Sequence, residues 1–181
     1  MKIESIKESA KKAIIELLNK QLQVEYAFII NYPRIIDKLI AVDKINDEQL
    51  NKDLERLGKD STRHLGSVGQ LIVQLGGEPM WQIEVIDRLV DVDNLLDHQL
   101  KKEKVALSLC QEAKRVAERN KVKVKVRDFL GRLIRVEDEL PYDVLNASDV
   151  ISTLERMIID ETHHIRLVHD SIATLNMFMN K

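Results

Sequence analysis

Two short stretches of the 181-residue chain repeat one pattern: DSTRH, Asp60 to His64, and DETHH, Asp160 to His164. Each is an aspartate, one further residue, two spacers and a histidine. In the second stretch the further residue is Glu161, which makes a Glu-x-x-His step; in the first it is Ser61. Residues three apart on an α-helix lie about 60° apart around the axis and about 4.5 Å along it. Glu161 and His164 can therefore hold one cation from a single helix. Mixed nitrogen and oxygen ligands suit iron, manganese and zinc alike.

For that chemistry the pair must lie inside a helix and meet ligands from others. Apolar residues at steps of three and four define four long helical segments, at about 5–41, 46–75, 92–119 and 148–177. The seam of the first is Leu18, Leu22, Glu25, Ile29, Tyr32 and Ile36, with a kink expected at Pro33. The second starts at Asn46 as N-cap, carries Leu57, Ser61, His64, Val68, Leu71 and Leu75, and stops at Gly76-Gly77 before Pro79. The third aligns Leu96, Leu100, Glu103, Leu107 and Cys110. The fourth, with Ser148 as N-cap, aligns Leu154, Ile158, Glu161, Ile165, Val168, Ile172 and Leu175, with His164 one position from the seam.

Each seam thus carries a polar residue at mid-length: Glu25, His64 with Ser61 beside it, Glu103, and Glu161 with His164. Taken singly, such a residue is more often a hydrogen-bonded core group than a ligand. Taken together, three carboxylates at one depth require compensating positive charge, which a divalent ion or a pair of ions supplies. One Glu from each of two helices plus Glu-x-x-His motifs on the other two is the dimetal carboxylate arrangement of helical bundles.

The connections are less regular. EPMWQIEVIDRL, residues 78–89, reads as a long crossover between helices two and three, with Met80, Trp81, Ile83, Val85 and Ile86 against the bundle. Residues 120–147 form an insertion between helices three and four. Within it KVKVKV, Lys121 to Val126, alternates at period two; we read it as a charged loop or frayed helix end rather than a strand. Phe129, Leu130, Leu133 and Ile134 predict a short helix over about 126–137, ended by Pro141.

Composition agrees with a helical protein. Six Gly, three Pro and 4% aromatic residues leave little turn or barrel chemistry in what we expect to be one domain over 1–181. The formal net charge of -2 gives no reason to expect nucleic acid, and the basic run from Lys114 to Arg127 lacks interleaved aromatics. One cysteine, Cys110, forbids an internal disulfide and fits a reducing cytoplasm. MKIESIKESAKK has no apolar leader core, and no apolar run approaches membrane-spanning length. His163 points about 100° away from His164 and is expected at the surface; His98 and His169 share no ligand face, and Cys110 is expected in the core.

Four segments carry a resemblance. LLNKQLQVEYAFIINY with Glu25, DSTRHLGSVGQLIVQLGGEP with His64, DHQLKKEKVALSL with Glu103 and DETHHIRLVHDSI with Glu161 and His164 resemble the ferritin-like superfamily, particularly bacterioferritins and rubrerythrin-type proteins. The resemblance implies a ferritin-like up-down four-helix bundle and one or two iron ions, held by Glu25, His64, Glu103, Glu161 and His164. It also implies that Tyr32 lies near the metal, with a catalytic part as hydrogen-bond or electron donor. Asp60 and Asp160 would orient the ligand histidines on opposite helices.

Departures from the family pattern matter as much. Ser61 stands where the family has a carboxylate that bridges both ions, so it looks like a lost ligand within a kept motif. Thr62 replaces the haem-ligating Met of bacterioferritins, so no haem is expected. The residues after His164 are too few for the extra short helix of cage-forming ferritins, which puts a storage cage in doubt; a homodimer or larger homo-oligomer is expected. No rubredoxin-like Cys pairs are present. The expected function is oxidation of Fe(II) by O2 or peroxide, for iron handling or detoxification. Two alternatives are a peroxide reductase without storage and a non-enzymatic helical scaffold with a degenerate single-metal site.

Overall fold

A computed structural model describes residues 2–41, 45–81, 92–125 and 146–179. Four long helices dominate it: α1, Glu8–Ala41; α2, Glu48–Gln74; α3, Val92–Arg119; and α4, Ala147–Met179. Two five-residue strands, β1 (Lys2–Ile6) and β2 (Lys121–Lys125), complete the described elements. The architecture is the expected four-helix bundle.

Contacts give the directions of the helices. Gly58 lies beside Tyr32 and Gly77 beside Ile15, so α2 runs back along α1. Lys114 reaches Glu155 at 2.9 Å and His164 faces Glu103, so α4 runs back along α3. Leu75, at the end of α2, belongs to an apolar cluster with Ile14 and Leu71. Leu95 and Leu96, at the start of α3, belong to the opposite cluster with Leu39 and Leu54. The chain must cross the length of the bundle between these points, which is the expected crossover. Residues 82–91 themselves lie outside the described residues. Met80 and Trp81 are exposed rather than buried against the bundle. The Asn19 side chain holds the backbone here, accepting from the Met80 N–H at 2.7 Å and donating to the Glu78 carbonyl at 3.3 Å.

The end of α2 follows from its glycines. Gly76 adopts φ +82°, and its N–H and that of Gly77 bond back to Val73 and Ile72, capping the last turn. A Cβ on Gly77 would lie 2.9 Å from Ile15, so the chain comes this close to α1 only without a side chain. The start of α2 corrects our reading. Asp47, not Asn46, is the N-cap, its carboxylate accepting from Leu50 N at 2.7 Å. At α4, likewise, Asn146 rather than Ser148 caps: its Oδ1 accepts from Ser148 N at 3.1 Å.

Three further expectations need correction. KVKVKV is strand over 121–125, paired antiparallel with β1 in the register Lys2↔Lys125 to Ile6↔Lys121. Its partner comes from the other end of the sequence, which no local window reveals. That partner, β1, takes residues 2–6, so α1 begins at Glu8; Pro33 lies inside it. Finally, beyond Glu25 the buried stripe of α1 is Phe28, Tyr32, Ile35 and Leu39, whereas Ile29 and Ile36 are only half-buried. The short helix expected at 126–137 lies outside the described residues.

Apolar burial divides into two clusters, one per end of the bundle. Leu18, Leu22, Val68, Leu71, Leu154 and Met157 belong to one; Phe28, Leu54, Leu57, Leu96, Leu100 and Val168 belong to the other. Between them every helix presents polar side chains inward.

If Asp47 is the cap, Asp47→Ala lowers unfolding stability by about 1 kcal/mol, and Asn46→Ala costs much less. Urea unfolding followed by circular dichroism compares the two.

Candidate metal centre

The polar layer is built from all four helices. Glu25 on α1, His64 and Ser61 on α2, Glu103 on α3, and Glu161 and His164 on α4 are each at most 2% exposed. Depth on each helix is set by flanking apolar residues: Leu22 and Phe28 around Glu25, Leu57 and Val68 around His64, Leu100 and Ala106 around Glu103, Met157 and Val168 around the α4 pair. His164 therefore lies on the buried face itself, not beside it.

His64 Nδ1 lies 3.1 Å from Glu161 Oε1 and 3.3 Å from Glu25 Oε1. His164 Nδ1 lies 3.6 Å from Glu103 Oε2 and 3.7 Å from Glu161 Oε2. The two imidazoles stack with ring centroids 5.4 Å apart. Glu161 thus sits between two half-sites, Glu25 with His64 and Glu103 with His164. One ligand-type atom from each of His64, Glu161 and His164 falls within 4.8 Å of the others.

The outer nitrogens of both rings face carboxylates on the opposite helix. His64 Nε2 is 3.1 Å from Asp160 Oδ2, and His164 Nε2 is 3.4 Å from Asp60 Oδ2. When the ring is neutral, an N–H donated outward leaves Nδ1 with its lone pair aimed at the centre. Arg63 joins the two aspartates, 3.1 Å from Asp60 and 3.0 Å from Asp160. The Tyr32 hydroxyl, wholly buried, donates to Glu103 Oε1.

Two residues were not in our set: Gln21 and Gln99, each four positions before a site glutamate and each 1% exposed. A polar residue one turn before a candidate ligand, on the same face, is the sequence signal that marks them. Gln21 Nε2 donates to Glu25 Oε1 at 2.6 Å and lies 3.4 Å from Glu161 Oε1. His163 is exposed and Cys110 is buried, as expected; His169 is exposed and His98 half-buried.

Proton affinities show how the protein tolerates this layer without a cation. Burial, reinforced by the Glu161 charge, pushes Glu25 up to about 8. Burial pushes Glu103 up to about 7, with the His164 hydrogen bond opposing. Burial favours neutral imidazoles, but the bonds to Glu161 and Glu25 outweigh it and raise His64 to about 11. Bonds to Glu103 and Glu161 raise His164 to about 10 in the same way. Glu161 receives both rings, and despite burial its carboxyl is held well below the usual carboxylate range. Burial and the Glu103 charge lift Tyr32 well above the ordinary phenol value, so it stays a donor.

Protons on these groups offset the buried negative charge. They do not satisfy everything: Glu25 Oε2, Glu103 Oε2, Glu161 Oε2 and Ser61 Oγ are all buried without a hydrogen-bond partner. Each such orphan costs about 1–3 kcal/mol. Carboxylate oxygens with free lone pairs and two imidazoles fit a divalent ion. Ser61 contributes only a neutral hydroxyl where Glu161 contributes a charge.

The sequence matches no protein-family model and no curated protein. Solved structures do match. One is a ferritin-like diiron-carboxylate protein from Bacillus anthracis, at 23% identity over 90% of this chain and 97% of that one, with TM-score 0.67. A second is the Desulfovibrio desulfuricans bacterioferritin, whose diiron site was seen in different catalytic states; it is 19% identical over 93% and 83%, TM-score 0.65. A third is the Rhodobacter capsulatus bacterioferritin, with a metal-free dinuclear site and haem iron, 18% identical over 92% and 87%, TM-score 0.58.

Glu25, Glu103, His64 and His164 all hold protons more tightly than in the unfolded chain. Their stabilisation is complete below the ordinary values, 4.5 for Glu and 6.5 for His. It is lost as pH rises through about 7 and 8 for the glutamates and about 10 and 11 for the histidines. Glu161 has the opposite sign: its contribution is present above 4.5 and lost on acidification. Metal-stripped protein should therefore lose melting temperature from about pH 6 to about pH 9, and metal affinity should rise over the same range as bound protons leave. Calorimetric melting and metal titration across that range check both. Tyr32→Phe strands Glu103 Oε1 and should cost metal-free protein about 1–3 kcal/mol, read by urea unfolding.

Proposed function

From a chain with the ferritin-like fold and an inward-facing Glu/His cluster at its centre, we propose a ferroxidase-type protein that binds Fe(II) and reacts it with O2 or peroxide, in iron handling or detoxification. The observation that carries this is the set of fully buried carboxylates on Glu25, Glu103 and Glu161, each with one oxygen lacking a hydrogen-bond partner, around two imidazoles. Apolar packing alone would exclude such a layer; a cation bound there accounts for it.

One or two ions would be held by Glu25, His64, Glu103, Glu161 and His164, with Glu161 shared. Manganese or zinc fits the same donors. Iron bound there supplies the electron that reduces the oxidant. The protein's own contribution is positional. Asp160 and Asp60 fix the two imidazoles, Tyr32 holds one oxygen of Glu103, and the apolar clusters above and below keep bulk water out. Assembly into a homodimer or larger homo-oligomer is part of this reading, supported by Val73 and Trp81, each 61% exposed. Its place would be the cytoplasm.

Ser61 favours a second reading: a helical scaffold whose metal site has decayed to one ion. Its hydroxyl is buried, unpaired and uncharged at a position equivalent to Glu161.

Iron-free protein loaded anaerobically with Fe(II) and then exposed to air or H2O2 should oxidise iron faster than buffer. Glu161→Ala should lower that rate about tenfold or more. An inert native protein that gains activity with Ser61→Glu would establish the decayed site instead.

A further inference from the structure

Gln21 faces the site, and the proposed function leaves its chemistry unused. Its side chain is 1% exposed and it lies one turn before Glu25 on α1. Its amide head touches two of the clustered carboxylates, 2.6 Å from Glu25 Oε1 and 3.4 Å from Glu161 Oε1. Its carbonyl oxygen, Oε1, is buried with no hydrogen-bond partner.

The spacing of these atoms is informative. Oxygen and nitrogen ligands lie about 2.1 Å from a first-row divalent ion. Neighbouring ligand atoms are then about 3.0 Å apart at a right angle and about 3.4 Å apart at a tetrahedral angle, by simple geometry on that bond length. The amide head, Glu25 Oε1, Glu161 Oε1 and His64 Nδ1 are separated by 2.6, 3.4, 3.3 and 3.1 Å. They are already close to the edges of one coordination polyhedron. The other half-site is wider, with His164 Nδ1 at 3.6 and 3.7 Å from its two carboxylates.

As the side chain stands, the amide turns its N–H toward the carboxylates. A cation reverses that preference. Half a turn about the terminal torsion exchanges nitrogen for oxygen in nearly the same place. The now unpaired oxygen would then meet the ion, and a carbonyl oxygen is a good ligand for a hard divalent cation.

We propose that Gln21 is a metal ligand of the Glu25/His64 half-site, supplying Oε1 as a neutral oxygen beside Glu25, His64 and Glu161. This half-site then has four protein donors and the other has three, so the first is the tighter position. The assignment rests on the centre binding metal at all, and the experiment separates the two claims.

Metal-stripped wild-type, Gln21→Leu and Gln21→Glu proteins are titrated with Co(II) alone, followed by calorimetry and by the visible absorption of the bound ion. Gln21→Leu should weaken the tighter position about tenfold or more and change its absorption spectrum. Gln21→Glu, which keeps the oxygen and adds charge, should bind at least as tightly as wild type. If Gln21 serves only as an N–H donor to the carboxylates, Gln21→Glu will weaken binding as Gln21→Leu does, and the assignment is wrong. It is equally wrong if Gln21→Leu binds like wild type. Gln21→Met replaces the leucine variant if that one fails to fold. Wild-type protein that takes up no Co(II) overturns the metal centre itself and this assignment with it.

Discussion

Three carboxylates and two imidazoles occupy the middle of a helical bundle at essentially zero exposure, and the rest of the structure is arranged around keeping them paired. An isolated buried carboxylate costs several kcal/mol or protonates. Here the imidazoles lie between the carboxylates, Glu161 faces both rings, and the outer ring nitrogens reach aspartates at the bundle edge. Several of its oxygens have no hydrogen-bond partner.

That demand fixes the depth of all four helices. A shift of one residue in any of them would rotate its ligand by about 100° and move it about 1.5 Å along the axis. Two separate apolar clusters, one on each side of the layer, resist such a shift because each helix belongs to both. The glycine-capped end of α2 and the ribbon joining β1 to β2 tie the same end of the bundle from two sides. The apolar ends thus stabilise the bundle, while the centre carries a cost in unsatisfied polar groups.

The layer has an approximate two-fold pattern. Gln21 with Glu25 on α1 matches Gln99 with Glu103 on α3; Asp60 with His64 on α2 matches Asp160 with His164 on α4. It breaks at Ser61 against Glu161, and again where Tyr32 donates to Glu103 while Gln21 donates to Glu25. The halves therefore differ in charge and spacing. Two ions bound here would not be equivalent.

Much of this was legible in the sequence, for reasons that can be named. Helical periodicity marks one face of a segment wherever that face is buried, so four helices and the mid-seam positions of Glu25, His64, Glu103 and Glu161 could be read directly. The glycine pair ending α2 and the crossover after it follow from equally local chemistry. What could not be read depends on partners distant in sequence. KVKVK is a strand because KIESI lies beside it; Asp47 caps α2 because the chain turns there and not one residue earlier. Ile29 and Phe28 compete for the buried face of α1 until Tyr32 and Ile35 are packed, and His164 joins the seam for the same reason. Sequence alone determined which residue types could bind a cation and that helices would present them. Only the packing of four helices decided which atoms meet and that Gln21 stands among them. Those properties are distances between side chains on different elements, and no single element contains them.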